Sequence, residues 1–464
     1  MRRILTLAVL LALTLSQLAL PASAAGPARS YLILTQGNNI PPGLASQVES
    51  QGGTVTRAIP EVGVLVAQSA DAGFASKAAR LGGVRSVVPN VKLRWTQPVA
   101  PVTLSAAEAA AIEADGVTDP FLALQWGHTA VKAQEAWAKG VRGAGVRVAV
   151  LDTGIDASHP DLAGQVNQEL SISFVPGEDW THTPGTGFSH GTHVAGTIAA
   201  AADGSGAVGI APEAELVGVK VLSDAEGTGT FEAVIAGIVY AANIDADIIN
   251  MSLGAVLARS GYCDEEGCVS AREVQELMTA LGRATTYAYQ QGTTIIASAG
   301  NDAINGDKDK DGLHVPSDAP HVLSISATGP LGWALDPSTD LDVPAFYTNY
   351  GRSVIDFAAP GGNVDFALEE SGLLCFVAGA LAPCWVFDLV FSTIEDGGYG
   401  WAAGTSMAAP HVSGVAALII SQNGGSMKPQ HVERDLRAAA DDLGQPGNDP
   451  FYGKGRVNAE RAIR

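Results

Sequence analysis

Basic residues are scarce in this sequence. Its 464 residues include 27 Lys and Arg against 48 Asp and Glu, a formal net charge of −21 at pH 7. Such a field repels phosphate, so we expect neither nucleic acid nor an anionic membrane as a partner. The hydrophobic share of 47% still predicts a folded chain, and the length predicts two to four domains.

Apolar runs long enough to form a stable membrane span are also missing. The first run, Ile4 to Leu13, follows Arg2 and Arg3 and precedes Ala22-Ser23-Ala24, an order typical of a cleaved signal peptide over residues 1–24. An uncleaved anchor helix is the alternative, but this run is short for one. We therefore expect a secreted protein without a stable membrane span.

Cysteine is rare, with four residues in two close pairs, Cys263/Cys268 and Cys375/Cys384. Because export permits disulfides, a local bridge within each pair is the simplest arrangement. Four free thiols are the alternative.

One stretch, Gly404 to His411, suggests reactive chemistry. A small-residue turn leads into Ser406, and the following apolar run suits a buried helix. Free N–H groups at a helix N-terminus can hold a developing anion. A serine nucleophile also requires a base and a group that orients the base.

The chain contains candidates for both. The apolar run Val148–Leu151 ends at Asp152 before Gly154, and His190 opens a run of small and apolar residues. These three blocks, in the order carboxylate, histidine, serine, resemble the signature blocks of the subtilisin-like (subtilase) serine proteases. The resemblance covers the chain from about Gln125 onward. It implies a secreted endopeptidase with an Asp152–His190–Ser406 triad, which works through an acyl-enzyme and needs no cofactor for catalysis.

The alternation of segments after His190 predicts an α/β fold, a parallel sheet with helices on both faces, over residues 123–464. The predicted strands are 216–221, 248–253, 294–299 and 322–327, and the predicted helices are 231–242 and 271–291.

Further site residues follow from the resemblance. It implies that the side-chain amide of Asn301 donates to the oxyanion, together with the N–H of Ser406. It implies that two backbone segments flank an extended substrate peptide, and that a pocket of small residues binds one side chain of that peptide. These residues are Gly227, Thr228, Gly229, Ser252, Leu253 and Gly254 in the segments, and Ala299 and Gly300 in the pocket. The small residues predict an open pocket and broad specificity towards protein or peptide substrates. We also expect the enzyme to be a monomer.

The N-terminal part reads as a separate unit. From about Ser30 to Asn90 the pattern predicts the order βαββαβ, which is ferredoxin-like. The resemblance implies that residues 25–95 are a propeptide that assists folding and blocks the cleft. Residues 96–122 would then be a linker that contains the processing point. An independent binding domain is the alternative.

Calcium is a possible structural cofactor. Asp307, Asp309 and Asp311 have the D-x-D-x-D-G spacing of a calcium loop, although no flanking helices are evident. A solvated acidic loop is the alternative. The resemblance implies a second position, at Asp161 and the loop that begins with Asp203.

An apolar insertion, Leu373 to Phe387, separates this chain from compact subtilases. We expect a disulfide-closed hairpin near the active-site entrance. A membrane-inserting hairpin is the alternative, but the run is short and broken by Pro383.

Rival functions are weaker. Asp152-Thr153-Gly154 is also an aspartic protease motif, but the chain has no second DTG or DSG. A zinc site at His190 and His193 has no evident third ligand. An inactive binding protein with a protease fold, and a narrow-specificity processing protease, remain as alternatives.

Overall fold

The computed structural model describes residues 27–96, 99–114, 118–264 and 267–464. The predicted signal peptide, residues 1–24, lies outside the described residues. Among the helices that are described, none combines the length and apolar content needed to cross a membrane.

The N-terminal unit has the predicted βαββαβ order. Its elements are β1 (Arg29–Thr35), α1 (Leu44–Ser50), β2 (Thr54–Ile59), β3 (Val64–Ser69), α2 (Phe74–Ala78) and β4 (Val84–Pro89). The four strands form an antiparallel sheet in the order β2-β3-β1-β4. One face of this sheet, including Ile33 and Leu65, packs against its own helices. The other face, including Leu32 and Val66, joins the core of the larger unit.

Two elements, β6 (Val99–Thr103) and α3 (Ala106–Glu113), lie in the segment predicted as a linker, and β5 (Lys92–Arg94) directly precedes it. Each strand pairs with a strand of the larger unit, so much of this segment is ordered structure in the described residues.

The larger unit follows. Its helices are α4 (Trp126–Val131), α5 (Ala133–Ala138), α6 (His190–Ala199), α7 (Phe231–Asn243), α8 (Ala271–Gln291), α9 (Phe366–Ser371), α10 (Thr405–Gln422), α11 (Pro429–Ala439) and α12 (Ala459–Ala462). Its strands are β7 (Arg147–Asp152), β8 (Ile172–Ser173), β9 (Glu215–Lys220), β10 (Thr228–Thr230), β11 (Ile248–Met251), β12 (Ala255–Ala258), β13 (Gly261–Asp264), β14 (Gly267–Ser270), β15 (Thr294–Ser298), β16 (Gly312–Val315), β17 (Val322–Thr328), β18 (Phe357–Pro360), β19 (Leu374–Val377), β20 (Ala380–Pro383), β21 (Val390–Thr393) and β22 (Tyr399–Ala403).

Seven of these strands form the predicted parallel sheet, in the order β18-β17-β15-β11-β7-β9-β8. Both of its faces are covered, because successive residues of a strand point to opposite sides. In β7, Val148 and Val150 pack into the core that contains α6 and α10. Ala149 and Leu151 pack into the core that contains α7 and α8. This alternation explains the continuous apolar runs that predicted the sheet.

The two predicted local disulfides are formed. Cys263–Cys268 joins β13 to β14, and Cys375–Cys384 closes the β19–β20 hairpin within the insertion. The insertion exposes several large apolar side chains, Phe376 most strongly at 72%. Helix α3 packs against it, since a Cβ on Gly379 would lie 2.6 Å from Cγ1 of Ile112.

Candidate active site

Asp152 and His190 are in contact where strand β7 ends and helix α6 begins. Asp152 is the last residue of β7, and the carboxyl ends of parallel strands share one edge of a sheet. His190 is the first residue of α6. Its Nδ1 lies 2.7 Å from Oδ1 of Asp152, and the two side chains are only 3% and 1% exposed. The backbone N–H of Thr153 donates to the same oxygen at 2.7 Å, which holds the carboxylate in place.

Ser406 is the second residue of α10, a buried helix that packs on α6. Its Oγ donates to the carbonyl oxygen of Ser252 at 3.1 Å. Nε2 of His190 is buried and has no hydrogen-bond partner among the described residues. The hydroxyl therefore bonds to Ser252 rather than to the imidazole. A nucleophile–base hydrogen bond often tightens only in the substrate complex, so the bond to Ser252 is compatible with His190 as the base.

Asn301 approaches the start of α10 from the end of β15. Its Oδ1 accepts from the backbone N–H of Thr405 at 2.9 Å and from the Thr405 hydroxyl at 2.8 Å. Two donors fix the amide orientation, so Nδ2 lies beside Gly404, within 3.3 Å of the position a Cβ would take there. An N–H donor is therefore directed to the turn that leads into Ser406.

The chain's own backbone enters this site from the N-terminal side. Strand β5 pairs antiparallel with β10, and the backbone N–H of Trp95 donates to the carbonyl of Gly227 at 2.9 Å. The N–H of Gly254 donates to the carbonyl of Trp95 at 2.7 Å. The Trp95 ring packs against Phe231, with centroids 5.4 Å apart, and its Nε1 donates to the carbonyl of Gly229. The segments 227–229 and 252–254 thus hold an extended peptide between them.

A second strand approaches the site along β22. β6 pairs antiparallel with β22, the strand that runs directly into the turn before Ser406. In this ladder Val99 is opposite Ala403, and Thr103 is opposite Gly400. The described residues through Thr96 thus pair with β10 and Gly254, and those from Val99 onward pair with β22.

A pocket of about 400 Å³ opens beside Ser406. The predicted residues Ala299 and Gly300 line it, and so do several polar residues that sequence reasoning missed: Asp302, His314, Ser317 and Asn349. No local motif marks these four, because they come from separate loops and strands that meet only in the fold.

The predicted calcium loop does not bring its carboxylates together. Asp307 accepts from the Ser353 hydroxyl, Asp309 from the backbone of Gly312, and Asp311 from the Ser260 hydroxyl. Among the residues that the structure describes, no three His, Cys, Asp or Glu side chains are placed to hold a metal ion.

Asp161 is in a different setting. It is 1% exposed, and Oδ2 accepts from the N–H of Ala207 at 2.8 Å. Burial, with the carboxylates of Asp203 and Glu113 nearby, raises the pKa of Asp161 to about 7. Asp119, which sequence reasoning missed, bonds to the same loop through the N–H of Gly204.

His193, the second residue of the alternative zinc pair, is turned away from His190. Its Nε2 lies 3.1 Å from the carbonyl of Val390. Burial lowers the pKa of His193 to about 3, with a contribution from His190. The imidazole of His193 is therefore neutral, lies in the core and hydrogen-bonds to the carbonyl of Val390.

Comparison with known proteins points to one family. The sequence model of the subtilase family, Peptidase_S8, matches residues 143–455. Subtilisin NAT of Bacillus subtilis subsp. natto is 33% identical over 354 residues, 76% of this chain and 75% of that protein. Thermitase of Thermoactinomyces vulgaris is 32% identical over 351 residues, 75% of this chain and 98% of that protein.

Solved structures extend the comparison. The crystal structure of a lanthipeptide protease is 29% identical, with a TM-score of 0.60, and covers 74% of this chain and 95% of that chain. The epidermin leader peptide processing serine protease of Staphylococcus aureus is 20% identical, with a TM-score of 0.72, over 94% of this chain and 99% of that chain. The second match supports the fold alone. On the family match and the identities to curated relatives, the chain belongs to the subtilase family of serine endopeptidases.

Proposed function

We propose that the chain hydrolyses peptide bonds with Ser406 as nucleophile, His190 as general base and Asp152 as the group that orients the imidazole. The observation that carries this proposal is the buried 2.7 Å contact between Asp152 and His190 at the start of α6, a helix that packs on the helix bearing Ser406. Because Nδ1 of His190 is directed at a carboxylate, its proton lies there and leaves Nε2 free to accept.

The reaction would proceed in two halves. Oγ of Ser406 turns from Ser252, gives its proton to Nε2 of His190 and bonds to the substrate carbonyl carbon. The imidazolium returns that proton to the departing amine as the C–N bond breaks, which leaves an acyl-enzyme. Water then repeats the sequence in place of the amine and releases the acid.

Charge on the carbonyl oxygen develops at the N-terminus of α10. Nδ2 of Asn301 and the backbone N–H of Ser406 are the donors that we assign to it. Preorganised donors of this kind typically contribute about 10²–10³-fold to turnover each.

The chain would be made as an inactive precursor. β5 and β6 already occupy the two sides of the cleft, so an external peptide cannot pair with the same edges. Cleavage within the segment from Thr96 to Val99 would free the N-terminal unit, which then acts as an inhibitor until it departs. We call β5 with Trp95 and Thr96 the acyl-side strand, and β6 the leaving-side strand.

We place the mature enzyme outside the cell, as a monomer. The two disulfides are consistent with an oxidising compartment. The substrates are proteins or peptides of many sequences, because the small residues Ala299 and Gly300 leave the pocket open, and any preference among side chains depends on the polar groups that line it. The solved lanthipeptide protease supports a second candidate function, the processing of one dedicated peptide.

Calcium fits the loop at Asp161 better than the loop at Asp307. A buried carboxylate whose pKa is raised beside other carboxylates is a site that a cation would stabilise. Asp161 and Asp203 would supply two carboxylate ligands, and backbone carbonyls the rest of the oxygen shell. Excess chelator should then lower the melting temperature of a Ser406→Ala protein, in which self-digestion cannot contribute.

Parallel expression of wild type and Ser406→Ala tests the catalytic proposal. N-terminal sequencing should find wild type cut between Thr96 and Val99, and the variant intact through that segment. A sulfonyl fluoride should label wild type at Ser406. An unlabelled, uncut wild-type chain would instead support the binding-protein alternative. A peptide library then separates broad from dedicated specificity.

A further inference from the structure

The pocket beside Ser406 contains a histidine that the proposed reaction does not use. His314 lies in β16, lines this pocket and is 6% exposed. Its Nε2 is buried and has no hydrogen-bond partner among the described residues. A buried polar nitrogen without a partner is unusual in a folded protein, and here it belongs to a side chain that lines the space beside the nucleophile.

Asn349 determines which nitrogen of this ring carries the proton. Oδ1 of Asn349 accepts from the backbone N–H groups of Asp302 and Ile304, both at 3.0 Å. This fixes the amide orientation, so Nδ2 is the donor on the other side. Nδ2 lies 2.9 Å from the carbonyl of Ala299 and 3.0 Å from Nδ1 of His314.

Nδ1 of His314 must therefore accept. A neutral imidazole that accepts at Nδ1 has its proton at Nε2. The unpartnered nitrogen is thus an N–H donor, and a side chain that enters the pocket can provide its acceptor.

A second polar group in the pocket has the opposite character. Asp302 is exposed and lines the same space, with Oδ2 3.4 Å from Nδ2 of Asn349. Its carboxylate accepts hydrogen bonds and repels another carboxylate. The pocket thus offers one donor, at His314, and one acceptor with negative charge, at Asp302.

We infer that this pocket selects a primary amide side chain, glutamine or asparagine, at the residue before the scissile bond. The amide oxygen accepts from Nε2 of His314, and the amide NH₂ donates to Asp302. A glutamate side chain has the shape of glutamine, but its carboxylate is repelled by the carboxylate of Asp302. A leucine leaves the His314 donor unpaired, and a lysine has no acceptor for it. This inference rests on the proposed function, since it needs Ser406 to be the nucleophile.

Processed enzyme and four matched peptides test it, with Gln, Glu, Leu or Lys before the scissile bond. Sites built around a hydrogen bond discriminate strongly against analogues that cannot make it. We expect kcat/KM for the Gln peptide to exceed that for each of the others by at least about tenfold. Equal or faster cleavage of the Leu or Lys peptide would overturn the inference.

Two variants of His314 connect the preference to this ring. His314→Phe keeps the ring shape without the donor, and we expect the Gln-to-Leu ratio to fall by about tenfold or more. His314→Gln can still accept from Asn349 and donate into the pocket, so it should retain the preference. A ratio unchanged in His314→Phe would contradict the role of His314 even if absolute rates fall.

Asp302→Asn provides a second measurement if His314→Phe does not fold. It should raise cleavage of the Glu peptide relative to the Gln peptide by about tenfold, because the repelling charge is gone. An unchanged ratio would count against the pocket assignment. If no peptide is cut and Ser406 resists labelling, the proposed function itself fails. If the Leu peptide is cut without preference for Gln, only this inference fails.

Discussion

The acyl-side and leaving-side strands enter the same centre but are held in different ways. The acyl-side strand is continuous with the N-terminal unit, and Trp95 anchors it in a pocket beside Phe231. The leaving-side strand is continuous with the larger unit, and the buried side chains of Leu104 and Ile112 hold the segment that follows it. A cut between the strands therefore separates only the first from the enzyme.

This difference has a consequence for activation. Once cut, the acyl-side strand can diffuse away with the N-terminal unit. The leaving-side strand remains tethered, and a tethered peptide competes at an effective concentration that is typically about millimolar. Loss of the N-terminal unit should therefore open the acyl side of the cleft before the leaving side.

The largest effect is expected from a change in the catalytic triad, which serves both self-processing between the two strands and the hydrolysis of an added peptide. Asp152→Asn keeps the shape of the side chain but favours the wrong imidazole tautomer, so turnover should fall by about 10⁴-fold. Self-processing and hydrolysis of an added peptide should slow equally, because one triad serves both. Asp179→Asn, an exposed carboxylate that bonds only to its neighbour's N–H, is the matched control. Processing that continued at the normal rate in Asp152→Asn would show that another protease makes the cut.

Trp95→Ala should loosen the acyl side alone. The ring is 2% exposed, and loss of a buried tryptophan typically costs about 3 kcal/mol or more. Release of the N-terminal unit from the cut enzyme should then accelerate by about 100-fold. The rise of peptidase activity after cleavage measures that rate. Arg94→Ala, on an exposed side chain of the same strand, should change it little.

Ile112→Ala should loosen the leaving side alone. Ile112 is 5% exposed and packs against the β19–β20 hairpin at Gly379, so truncation should cost about 2 kcal/mol. Hydrogen exchange in β6 should accelerate by roughly 30-fold, while the N-terminal unit departs at its usual rate. Ala111→Ser, an exposed site on the same helix, is the control. Equal acceleration on both sides would mean that the two strands are not independent.

The sequence predicted elements with strong internal periodicity better than it predicted the two strands compared here. The alternating apolar runs predicted the parallel sheet and the βαββαβ unit, and close spacing predicted both disulfides. Segment boundaries were less accurate: the strand expected over residues 248–253 spans only Ile248–Met251.

Features that depend on distant partners were not predicted. Residues 96–122 read as a linker, yet Thr103 pairs with Gly400, almost 300 residues away. Likewise, nothing near His314 in the sequence shows that Asn349 will fix its tautomer. The D-x-D-x-D-G spacing is a local pattern, whereas Asp307 and Asp311 bond to Ser353 and Ser260 from remote segments. Calcium binding at that loop stays a prediction.

The smallest expected effect concerns charge at the edge of the N-terminal unit. Nε of Arg85 donates to Oε2 of Glu276 in α8 at 2.8 Å, and the Ser86 hydroxyl donates to the same oxygen at 3.0 Å. Burial acts to raise the pKa of Glu276, but the hydrogen bonds from Arg85 and Ser86 outweigh it and lower the pKa below its usual value. Ionised Glu276 therefore favours attachment of the N-terminal unit.

A pH series on Glu276→Gln measures that contribution. A lowered pKa means that the stabilisation is fully present above the ordinary glutamate value of about 4.3 and is lost as pH falls through the lowered value. At pH 7 the variant should release the N-terminal unit roughly fivefold faster than wild type, since an ion pair whose arginine is partly exposed contributes about 1 kcal/mol. The two rates should converge as the pH falls through that lowered value, where wild-type Glu276 also becomes neutral. Hydrogen exchange in β6 should not differ between them at any pH, because no part of that ion pair touches the leaving side. A difference in release that persisted unchanged at low pH would assign the effect of Glu276 to packing rather than to charge.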